Sequence, residues 1–126
     1  MATARIDRLR GKPTTQQVCG AAGEEQALQY LQQKGLILVC RNFSCKAGEI
    51  DLIMRHGPTL VFIEVRVRAD DRHGGAAASV TPAKQRRLVR AAQRYLQRLR
   101  SVPACRFDLV AIDAGVVRWL TDIIQG

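Results

Sequence analysis

The chain is short of acids, aromatics, histidines and long apolar runs, and each shortage narrows what it can be. Eleven Asp and Glu stand against twenty Lys and Arg, giving a formal net charge of +9 and a pI near 10.3. A polyanion is therefore the expected partner. No stretch approaches the roughly 18 apolar residues of a membrane span. The first residues, with Arg5, Arg8 and Arg10, carry no apolar secretion-signal core. A cytoplasmic protein that does not enter membranes is expected. Three Phe, two Tyr and one Trp mostly sit in core-like patterns. That disfavours stacking on single-stranded bases and favours duplex or branched DNA contacted through its phosphates. Cys19, Cys40, Cys45 and Cys105 match no zinc spacing, and disulfides are not expected in the cytoplasm, so they read as ordinary thiols. His56 in a turn and His73 in a Gly-rich loop read as exposed polar residues outside any site.

What is present fits one domain. The 126 residues, 47% of them apolar, are enough for a core. Residues 1–13 hold Arg5, Arg8, Arg10 and Lys12 with Gly11 and Pro13, and read as a flexible basic arm; the folded domain is expected over 14–126. Thr14 or Thr15 can cap a helix running to about Lys34 and ended by Gly35, with Val18, Ala21, Ala22, Ala27, Leu28 and Leu31 on its apolar side. A strand from Leu36 to about Phe43 follows. Residues 69–79 have turn chemistry and no period, so a mobile loop is expected there. Arg106–Ile112 and Val116–Trp119 read as two further strands, and residues 120–126 as one short turn. Asp108 can face a site or solvent. The order helix, three strands, helix, two strands predicts a central mixed β-sheet flanked by α-helices.

Chemistry concentrates in two strand-like runs, Gly48–Ile53 and Val61–Arg66. On a strand, Glu49 and Asp51 share one face against Ile50 and Leu52, and Glu64 and Arg66 share one against Val61, Ile63 and Val65. Arg55-His56-Gly57-Pro58 reads as a four-residue hairpin loop, which pairs Met54 with Thr59, Asp51 with Phe62 and Glu49 with Glu64. The four polar residues then converge on one face, with direct neighbours about 4.5–5.5 Å apart at Cβ. Opposed like charges destabilise a sheet, and a bound cation reverses that sign. Mg²⁺ takes one or two carboxylates, keeps several waters and completes its shell with phosphate oxygens. Solvent exposure of Glu49 and Asp51, with Arg66 and Arg68 neutralising Glu64, explains any one carboxylate but not their convergence on such apolar strands.

A second helix opens at Thr81-Pro82, with Thr81 as cap and Pro82 at the first helical position, and runs to about Arg100. Leu88, Ala92, Tyr95, Leu96 and Leu99 fill one face. Arg86, Arg87, Arg90, Arg94, Arg98 and Arg100 fill the other with no acid among them. A solvated face normally carries mixed charge, so this one suits backbone phosphates and salt-dependent binding. It lacks the large exposed apolar residues of a membrane-surface helix.

Gly23-Glu24, Ala27, Tyr30-Leu31, Lys34-Gly35, Arg41-Asn42, Gly48-Glu49-Ile50-Asp51-Leu52-Ile53, Val61-Phe62-Ile63-Glu64-Val65, Thr81-Pro82-Ala83-Lys84 and Arg106-Phe107-Asp108 together resemble the bacterial YraN-like family. That family is assigned to the PD-(D/E)XK, restriction-endonuclease-like superfamily. The resemblance covers nearly the whole chain beyond the basic arm. It implies a single restriction-endonuclease-like α/β domain ordered α-β-β-β-α-β-β, and a metal-dependent endonuclease using Mg²⁺ or Mn²⁺. It further implies that Asp51 and Glu64 are catalytic metal ligands, with Glu24 from the first helix and Glu49 assisting. Arg66 stands where the family has a lysine. Arginine stays protonated, so it supplies charge and hydrogen bonds but is no base. Lys84, Arg86, Arg87, Arg90, Arg94 and Arg98 would bind nucleic acid. Two other classes remain open: a nucleic-acid-binding module that keeps the fold without cleavage, and, more weakly, a protein docking on other anionic surfaces. The oligomeric state is also open, a dimer included.

Overall fold

The first helix, α1 (Thr15–Gln33), stops where expected, because Gly35 takes a left-handed φ of +96°. The Gly35 and Leu36 N–H groups bond back to the Gln32 and Leu31 carbonyls at 3.0 and 3.1 Å, closing the helix end. The structure is a computed structural model that describes residues 15–69 and 75–124. The expected basic arm and the alternative cap Thr14 lie outside the described residues, as does the middle of the loop after Arg68.

Strands β1 (Ile37–Cys45), β2 (Gly48–His56) and β3 (Thr59–Arg68) follow. A 3-10 turn (Ala77–Ser79), helix α2 (Pro82–Leu96), and strands β4 (Cys105–Asp113) and β5 (Val116–Leu120) complete the chain. The five strands form one mixed sheet in the order β1-β2-β3-β4-β5, antiparallel except for the β3–β4 pair. This is the restriction-endonuclease-like α/β arrangement expected from the sequence. Thr81 caps α2, its hydroxyl accepting from the Lys84 N–H at 3.2 Å. The helix ends at Leu96, four residues before Arg100, and residues 97–100 continue it only as turns.

The core lies on both faces of the sheet. Ala27, Leu28 and Leu31 of α1 pack on Leu52, Met54, Val61, Ile63 and Val65. On the other face Leu88, Ala91 and Ala92 of α2 pack on Phe43, Ile50, Ile53, Leu60 and Phe62. Ala21 and Ala22, expected on the apolar side of α1, are exposed, and Gly23 takes the contact instead. A Cβ on Gly23 would stand 2.4 Å from a methyl carbon of Val67, so glycine lets α1 press directly on β3. Among the described residues no helix is long and apolar enough to cross a membrane.

The β2–β3 hairpin corrects the expected register. Its turn is Gly57-Pro58 alone, because Arg55 and His56 continue the strand and pair with Leu60 and Thr59. Gly57 has φ +60°, and proline fixes the next φ near −65°, the pattern of a two-residue turn that matches strand twist. Met54 therefore pairs with Val61, and Ile53, not Asp51, lies opposite Phe62. The slip is two residues, so the side chains of the paired stretch, Leu52–His56 with Thr59–Ile63, keep their expected faces.

The C-terminal segment differs too. Residues 121–124 make no regular turn; instead the Ile123 N–H bonds the Phe107 carbonyl at 2.7 Å.

Candidate active site

The β2–β3 ladder ends at the pair Leu52 and Ile63. Beyond it the same register would set Asp51 across from Glu64, but the two strands part. The Val65 N–H, freed from the ladder, donates to Asp51 Oδ2 at 2.8 Å. A side-chain carboxylate thus replaces a backbone carbonyl, and β2 turns as it leaves its neighbour. Ile50 consequently packs toward α2 while Leu52 packs toward α1, where simple alternation had put them on one face.

The parting strands open a cleft of about 470 Å³, lined by Glu24, Glu49, Asp51, Glu64, Arg66, Lys84 and Arg87 together with Gly48, Val65 and Leu88. Helix α1, pressed down at Gly23, delivers Glu24 to one side. The first turns of α2 deliver Lys84 and Arg87 to the other. Glu24 and Asp51 lie within side-chain reach of each other, and so do Asp51 and Glu64. Carboxylates this close repel one another when all are ionised, which favours the protonated forms.

Burial is the main cause. Desolvation, then the charge of Asp51, lifts Glu24 from 4.5 to about 7. The same two effects lift Glu64 to about 7, against the lowering influence of Arg66 and Lys84. Asp51 is raised by desolvation, opposed by its bonds to Val65, Glu24 and Glu64. Glu49 is exposed at the rim, where its charge raises both Glu24 and Asp51. Arg66 reaches Glu64 through Nη1 at 3.4 Å and donates from Nε to Ser79 Oγ at 2.8 Å.

The arginine face of α2 divides. Arg87 joins Lys84 in the cleft, whereas Arg86 and Arg90 line a separate groove with Val89 and Ile124. Arg94 is exposed, and Arg98 lies over the rings of Phe43 and Tyr95 at 5.0 and 5.9 Å from their centroids. Asp108 faces neither the cleft nor solvent; it is fully buried. Ser79 is the cleft-side residue that sequence reading missed. It sits in a stretch without periodicity, and only the fold brings it to Arg66.

The donor set suits a hard cation: three desolvated, mutually repelling carboxyl groups offer oxygen ligands, and a positive charge among them would relieve the repulsion. As the structure stands, among the described residues no group of three or more His, Cys, Asp and Glu is arranged to hold a metal ion.

Residues 23–112 match the model of the uncharacterised protein family UPF0102, a span from Gly23 to Ile112 that includes every cleft residue named above. The chain is 58% identical over 117 residues to a UPF0102 protein of Herminiimonas arsenicoxydans, covering 93% of this chain and 94% of that one. It is 56% identical over 112 residues to one of Janthinobacterium sp. (strain Marseille), covering 89% and 91%. A UPF0102 protein of Ralstonia pickettii (strain 12J) is 57% identical over 108 residues, covering 82% and 86%. On the family match and these near-full-length relatives, the chain belongs to the UPF0102 family, the YraN-like family that its motifs resemble.

Proposed function

We propose that this protein is a divalent-metal-dependent endonuclease that hydrolyses phosphodiester bonds of duplex or branched DNA. The observation that carries the reading is one juxtaposition. Glu24, Asp51 and Glu64, from three different elements, come together in a cleft whose cations are Arg66, Lys84 and Arg87, with Glu49 at its rim. Half-burying three acids together is costly when they are ionised, and the cations beside them suit a phosphate.

Asp51 and Glu64 would hold Mg²⁺ or Mn²⁺, with Glu24 assisting and Glu49 orienting a water at the rim. Such an ion, when bound, polarises a phosphoryl oxygen and lowers the pKa of its water toward neutrality. The chain's own residues do the rest. Arg66 stays protonated and stabilises charge developing on the phosphate, while Lys84 and Arg87 hold neighbouring phosphates.

One observation favours a second reading, a nucleic-acid-binding module without efficient cleavage: the usual lysine is an arginine tied to Glu64 and Ser79. Cleavage of labelled linear, nicked and four-way-branched DNA with Mg²⁺ or Mn²⁺ separates the two. Metal-dependent cutting lost in Asp51→Ala and Glu64→Ala and raised by Arg66→Lys supports the nuclease. Salt-sensitive binding with no cutting by any variant supports the module.

A further inference from the structure

We propose that Ser79 is a positioning residue that holds the Arg66 guanidinium over the cleft, with the turn at residues 75–80 as its mount. The effect on catalysis rests on the nuclease reading; the contact itself does not. Ser79 Oγ accepts from Arg66 Nε at 2.8 Å and donates to the Ala76 carbonyl at 2.5 Å, so both functions of the hydroxyl are directed. The turn beneath it is pinned. The Ala76 N–H donates to Asp113 Oδ1 at 2.6 Å at the end of β4, and Ala76 and Val80 are buried. Gly75 has φ +71°, and a Cβ there would stand 2.9 Å from the same carboxylate oxygen, so only glycine lets Asp113 close on the turn.

The distances decide which partner sets the pose of Arg66. Its contact to Glu64 is 3.4 Å, well beyond the roughly 2.7–2.9 Å of a good charge-assisted bond. The bond to Ser79 is within that range. A run of contacts thus joins the end of β4 to the cleft, through Asp113, Ala76, Ser79 and Arg66 to Glu64. Ser79 also matches arginine rather than lysine. At the position of arginine Nε a lysine side chain carries a methylene, which donates no such bond, so Ser79 and Arg66 form a fitted pair.

The test has two arms on the full chain. The first follows the Arg66 Nε–H signal in ¹⁵N NMR spectra, identified by its absence from Arg66→Lys. Ser79→Ala should move that signal into the solvent-exchanging arginine envelope, and Ser79→Thr should keep it. The second arm is Mg²⁺-dependent DNA cleavage. Ser79→Ala should lower kcat about five- to tenfold with KM unchanged, on the scale of one lost ordinary hydrogen bond. The same substitution on the Arg66→Lys background should cost nothing further. An Arg66 signal unmoved by Ser79→Ala overturns the proposal. So does an equal fall of kcat on both backgrounds, which would mean a loosened turn acting independently of Arg66. If the wild-type chain cuts no DNA, the nuclease reading fails while the NMR arm still decides whether Ser79 holds Arg66.

Discussion

Asp108 on β4, fully buried, and Asp51 on β2, half-buried, are acids of one sheet, yet their surroundings treat the two carboxylates in opposite ways. Asp108 is fully buried and completely served. Arg106 Nε donates to it at 3.0 and 3.2 Å, Trp119 Nε1 at 2.9 Å and the Asp122 N–H at 2.9 Å. Arg106 is steadied in turn by His56 Nδ1 at 3.0 Å. Asp51 has one backbone donor, and its other close neighbours are Glu24 and Glu64. Burial by itself therefore does not mark a functional acid. An acid set among acids is the stronger candidate, because the chain gives it less compensation than Asp108 receives.

The largest effect should follow from breaking the satisfied side of this comparison. Asp108→Ala orphans Arg106, the Trp119 N–H and the Asp122 N–H, and frees the segment that crosses them. Loss of one partner from a buried pair costs about 3–5 kcal/mol, which denaturant unfolding would read directly. Asp51→Ala should behave in reverse. It should leave stability nearly unchanged or improved, but lower Mg²⁺-dependent cleavage about 10²–10³-fold, the scale for removing one main electrostatic group from a site. If Asp51→Ala destabilised as much as Asp108→Ala, the two acids would be equivalent and the assignment of the cleft would fail.

The same contrast explains what could be read from the sequence. Asp51 and Glu64 were legible as neighbours because period-two alternation survives a register slip of two, so the wrong hairpin loop still put them on one face; Glu24, on a helix, was reached only through the family resemblance. The end of α1 and the start of α2 were legible because Gly35 and Thr81-Pro82 act locally. The loop itself was misread because Arg55 and His56 are polar, whereas both pair in the β2–β3 ladder, and the Arg106 side chain that His56 meets lies fifty positions away. For the same reason Asp108 was undecided. Its donors come from β4, β5 and the chain beyond, and only the fold collects them. The arginine face was legible as a face, but its division between cleft and outer groove depends on where β2 and the C-terminal segment pack.

A third effect, of intermediate size, is pH dependence without metal. Glu24 and Glu64 are held up to about 7 against an ordinary 4.5. Between those values the folded state binds more protons than the unfolded one. Stability contributed by the protonated cluster is therefore full below about pH 4.5 and is lost as pH rises through about 7. The expected loss is roughly 1–3 kcal/mol, less than the two shifts summed, since Glu24 is only half-buried and screened by solvent. Thermal melts between pH 5 and 8 should show this slope, and Mg²⁺ should reduce it at the alkaline end. Asp51→Asn should flatten it by removing a charge that raises both glutamates. A slope unaltered in Asp51→Asn would locate the titrating groups elsewhere.

The smallest effects separate the two sets of cations on α2. Each phosphate neutralised on duplex DNA contributes about −0.9 to the slope of log K against log salt. Lys84→Ala and Arg87→Ala, which remove cations from the cleft, should each weaken DNA binding a few-fold and reduce that slope by about one. Arg86→Ala and Arg90→Ala alter the groove shared with Ile124, on the side away from the carboxylates. If DNA enters only through the cleft, these two should leave the salt slope within error of wild type. Equal losses from all four would require the duplex to straddle α2, so that the arginines the fold divides would act together on one polyanion.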